Sequence, residues 1–79
     1  MAQQDLEDAR EAKQILESKV FQKSFEECRA DYLNALLSTD PEESDKRERI
    51  YYSLKILDRV KDNLVRFINA GELERGRGN

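Results

Sequence analysis

Carboxylates are the residues with the most chemical capacity in this chain. Glu26-Glu27, Glu42-Glu43 with Asp45, and Asp58 with Asp62 one turn further on are spaced as paired acids. Such pairs perform general acid–base work or hold metal ions inside helical bundles. A dinuclear carboxylate bundle also needs Glu-x-x-His elements, and the chain has no histidine. Asp58 and Asp62 could together attract a divalent cation, but Lys55, Arg59, Lys61 and Arg66 stand among them. That mixture describes a solvated helix face of both signs. The single thiol, Cys28, has no histidine to activate it and reads as a small core residue. A glycine-rich phosphate loop is also missing. We assign no catalytic, cofactor-binding or metal-ligating residue and read the chain as a non-enzyme without a cofactor.

Aromatic and basic residues offer binding rather than catalysis. Tyr51 and Tyr52 adjoin Ile50 and Arg47-Glu48-Arg49. Two adjacent helical residues cannot both sit centrally in one stripe, so one tyrosine is expected at the flank of the core or in solvent. Exposed aromatics beside arginine are favoured at protein interfaces. Ile56, Val60 and Phe67 form a second apolar row beside Leu57, Leu64 and Ile68, and a wide apolar face can contact two neighbours at once. Tyr51, Tyr52, Ile56, Val60 and Phe67 are therefore the interface candidates. The alternative is a small regulator that binds nucleic acid or a nucleic-acid-processing enzyme through Arg47, Arg49, Arg75 and Arg77. In support, aromatics near basic residues can stack on single strands, and Arg75-Gly76-Arg77-Gly78 is similar to Arg-Gly segments that bind nucleic acid. Those arginines would have to converge on a face free of acids. The net charge of −3, with both signs interspersed, argues against a nucleic-acid partner.

The elements that position these residues are legible from apolar spacing. Phe21, Phe25, Cys28, Tyr32, Ala35 and Leu36 recur at steps of three and four. After Asp40-Pro41, Ile50, Leu54, Leu57, Leu64 and Ile68 keep the same rhythm, with Lys61 in one slot. Two amphipathic helices joined by a short polar turn predict an antiparallel hairpin. A shorter stripe, Leu6, Ala9, Ala12 and Leu16, precedes them, and its phase slips near Ser18-Lys19-Val20. Ser18 is the expected N-cap after that slip, the alternative being one continuous helix over 5–38. The third helix is expected to open as a capping box, with Asp40 as cap, Pro41 in the first turn and Glu43 three residues on. Gly71 is expected to stop it.

The fold class is thus all-α: an antiparallel helical hairpin of two long helices plus a short N-terminal helix, in one domain over 1–79. The helices are expected at about 5–17, 19–38 and 41–70, after a frayed 1–4 and before a mobile tail at 72–79. The third helix would be roughly 40 Å long, about two turns longer than the second. The first helix, folded back, or a second copy of the protein must cover the excess.

A chain of 79 residues builds a small core and needs reinforcement. One cysteine excludes an intrachain disulfide, and the absence of histidine disfavours a metal. Oligomerisation is the remaining device. The longest apolar runs are two or three residues, too short to span a membrane, and the N-terminus lacks the apolar segment of a signal peptide. An intracellular setting, the cytoplasm of the producing cell, is expected.

Ala12-x-x-Ile15-Leu16, Phe21-x-x-x-Phe25, Thr39-Asp40-Pro41-Glu42-Glu43, Arg47-Glu48-x-Ile50-Tyr51 and Gly71-x-Leu73 occur in this order over about residues 9–73. This arrangement resembles small bacteriophage-encoded helical proteins that are often encoded among virion-assembly genes. The resemblance implies a phage origin and a structural or assembly task, with virion association. It carries over no catalytic or binding residue. The combined expectation is a non-enzymatic structural or assembly protein, acting as a homo-oligomer or by docking on a larger protein partner.

Overall fold

The computed structural model describes residues 2–77 and is all-helical, with no strand among the described residues. Its helices are α1 (Ala2–Glu17), α2 (Lys19–Leu37) and α3 (Ser44–Arg77). The first helix starts at Ala2 rather than near Asp5; Met1 lies outside the described residues.

A single extended residue separates α1 from α2. Ser18 has φ −65° and ψ 124°, and its Oγ accepts a hydrogen bond from the Phe21 N–H at 3.2 Å. That bond satisfies one of the donors that a helix start leaves without an intrahelical partner. On the other side of the break, Gln22 Nε2 reaches back and donates to the Leu16 carbonyl at 2.8 Å, covering an acceptor that the end of α1 leaves open. The break absorbs the phase slip: Ala12 and Leu16 belong to one stripe, Phe21 and Phe25 to the next.

The turn between α2 and α3 is held by its own side chains. Thr39 is buried; its Oγ1 donates to the Leu36 carbonyl at 2.6 Å and accepts from Arg47 Nη1 at 2.7 Å. Ser38 Oγ donates to the Asn34 carbonyl at 2.8 Å. The α-helix begins at Ser44, three residues later than the expected start at Pro41. The Glu43 N–H donates to the Asp40 carbonyl across a three-residue step, which makes a tight turn, and the first four-residue step runs from the Arg47 N–H to the Glu43 carbonyl. One half of the expected capping box does form, the Asp40 N–H donating to Glu43 Oε1 at 2.9 Å.

Contacts with α3 advance along it as the partner position recedes. Thr39 meets Arg47, Arg29 meets Asp58, Lys61 lies over the Phe25 ring, and Gly71 lies against Ala9. The Arg29 Nε to Asp58 Oδ1 distance is 3.2 Å, and Lys61 Nζ stands 4.9 Å from the Phe25 ring centroid. Backbones approach closest between α1 and α3, because Ala9, Ala12 and Gly71 present almost no side chain there. Phe21 and Phe25 instead border a cleft with Lys61 of α3, and no residue of α2 is buried. Ala35 is exposed, and Leu36 takes the half-buried place beside it.

Gly71 does not terminate α3, and residues 72–77 are helical rather than an irregular tail. A Cβ at Gly71 would overlap the Ala9 Cβ and approach the Asp5 carbonyl oxygen to 3.2 Å. Glycine stands here because α1 crosses at that point, and not because the chain reverses. It also completes the α3 stripe, whose slots 50, 54, 57, 61, 64, 68 and 71 alternate steps of four and three. The rest of the expected tail, Gly78 and Asn79, lies outside the described residues.

The result is elongated, with extents of 57 × 23 × 14 Å and a radius of gyration of 17.0 Å. A compact chain of this length would have a radius of about 12 Å. Among the described residues, Ala12 and Leu54 are the buried apolar side chains, and no large side chain is fully buried.

Candidate interaction surface

The carboxylates expected to remain a solvated face do not gather. Asp58 is engaged by Arg29 across the helix pair, and no group of three or more His, Cys, Asp or Glu among the described residues is arranged to share a metal ion. Cys28 is half-buried on the α2 stripe.

Both Tyr51 and Tyr52 are exposed, because Ile50 and Leu54 occupy the stripe positions beside them. Their rings meet edge to face with centroids 5.9 Å apart. Lys55 Nζ lies 5.4 Å from the Tyr51 centroid, one turn along the helix. The Tyr52 hydroxyl donates to Glu48 Oε1 at 3.2 Å. This hydrogen bond, with the charge of the Glu48 carboxylate, raises the Tyr52 pKa above the ordinary tyrosine value, since ionisation would break the bond and place two anions side by side.

Tyr52, Ile56, Val60 and Phe67 occur at helical intervals of four, four and seven residues, which align them along one side of α3. They are 55%, 64%, 52% and 47% exposed, so α1 and α2 leave this row uncovered. The row is flanked by charge. Asp45, Glu48 and Arg49 share a shallow cleft with Tyr52 at one end. At the other end, Asp5, Arg59, Asn63, Arg66 and Ala70 share a cleft with Phe67. Phe67 also borders a groove with Ile15, Ala12 and Leu64, edged by Asp8 and Glu11. Ile15, on α1, thus extends the apolar surface across the helix boundary. Spacing does not mark it as an interface residue, because it stands beside a stripe rather than on it.

Of the four arginines of the nucleic-acid alternative, Arg47 and Arg49 do not share a face. Arg47 is engaged at Thr39, while Arg49, about 200° further round the helix, lies with Asp45 and Glu48. Positions 75 and 77 are roughly 40 Å further along α3 by helical rise. The side chains of Arg75 and Arg77 lie outside the described residues.

No helix among the described residues is long and apolar enough to cross a membrane. No family model matches the chain, and neither a curated protein nor a solved structure is significantly similar to it.

Proposed function

We propose that this chain is a non-enzymatic structural or assembly protein that works by self-association through the uncovered face of α3. Its frame is an antiparallel hairpin: α3 forms one arm and α1–α2 the other, as the pairings from Thr39–Arg47 out to Ala9–Gly71 suggest. The observation that carries the function is the exposed row Tyr52, Ile56, Val60 and Phe67 on a chain with almost no buried core. The accessible surface is 6522 Å². A compact monomer of 9.3 kDa would expose about 5,000 Å². Aromatic and β-branched residues in one row, interrupted at Asn63 and rimmed by mixed charge, have the composition of an interface core with a polar rim. The resemblance to phage-encoded helical proteins is what supports virion assembly as the setting for this association.

Mass by light scattering over a tenfold dilution tests the proposal. We expect a multimer at the higher concentration, and expect Ile56→Glu and Phe67→Glu each to weaken association at least tenfold while helicity by circular dichroism is retained. Each substitution would place a carboxylate in an apolar contact, which opposes association by more than the roughly 1.4 kcal/mol that a factor of ten represents. A monomer at every concentration, or unchanged association in either variant, would overturn the assignment and direct the search to a heterologous protein partner.

A further inference from the structure

We draw no further inference here: the strongest candidate, the exposed apolar row of Tyr52, Ile56, Val60 and Phe67 along α3, belongs to the interaction surface already described, and nothing in the structure shows the geometry in which it is covered.

Discussion

At the scale of single residues, the two helical glycines of α3 are a controlled comparison. Glycine in a helix interior costs about 1 kcal/mol relative to alanine, so alanine should stabilise either site if nothing else intervened. At Gly76 nothing lies within 4 Å of the added Cβ. We expect Gly76→Ala to raise stability by up to about 1 kcal/mol, measured by urea unfolding. At Gly71 the added methyl group meets the Ala9 Cβ, which cannot rotate away, and the Asp5 carbonyl stands behind it. Overpacking of this kind costs about 1–3 kcal/mol and outweighs the propensity gain. Gly71→Ala should therefore destabilise, and Ala9→Gly in the same chain should restore most of the loss; a stabilised Gly71→Ala would refute the close approach of α1 and α3. A second residue-level expectation concerns Tyr52. Its phenol donates to Glu48, and the bond and the charge together raise its pKa. Glu48→Gln removes the charge and should move the Tyr52 midpoint downward in a spectrophotometric titration, with Tyr32→Phe and Tyr51→Phe together isolating the signal. Tyr52 is exposed, so this change is expected in the titration and not in the folding stability.

At the scale of elements, Ser18 divides what would be one long helix into two. The α1 stripe of Ala9, Ala12 and Leu16 and the α2 stripe of Phe21, Phe25 and Cys28 cannot both face α3 on one uninterrupted helix, because the step from Leu16 to Phe21 is five residues. Ser18→Ala removes the oxygen that accepts from the Phe21 N–H, and loss of such a cap costs about 0.5–2 kcal/mol. We expect a loss in that range by thermal or urea unfolding, with little change for Ser18→Asp, which retains an acceptor. This break was legible in the sequence because a phase slip leaves a periodic signal and serine names the cap. The end of α3 was not legible. Glycine after an apolar stripe is the common mark of a helix stop, and only the crossing of α1 over Gly71 reveals the other reason for glycine. The start of α3 at Ser44 is not legible for a related reason: Asp40-Pro41 suits both a first helical turn and the tight turn that Asp40 and Glu43 form. Thr39 carries no signal in the sequence, because a threonine in a polar turn has no periodicity and its partner Arg47 is eight residues away. The row from Tyr52 to Phe67 was legible as a second apolar stripe, whereas its continuation at Ile15 depends on tertiary packing that no spacing encodes.

At the scale of the whole molecule, stability and association should be one property. The chain is long and thin, with a radius of gyration of 17.0 Å, and keeps Ala12 and Leu54 as its buried apolar side chains among the described residues. A core of that size contributes little against the conformational entropy of 79 ordered residues. If α3 buries its uncovered row in a dimer, folding and pairing are linked, and the melting temperature depends on concentration. Tenfold dilution changes the balance by about 1.4 kcal/mol per dimer. The unfolding entropy of two such chains is roughly 0.33 kcal/mol/K from the usual per-residue value, so each tenfold dilution should lower the melting temperature by about 4 °C. Ile56→Glu should melt lower than the parent at high concentration and show no slope with dilution, because its transition is that of the single chain. A parent chain that melts at the same temperature across a roughly hundredfold range would mean that α1 and α2 alone supply the stability, and that the Tyr52–Phe67 row serves a partner other than this chain.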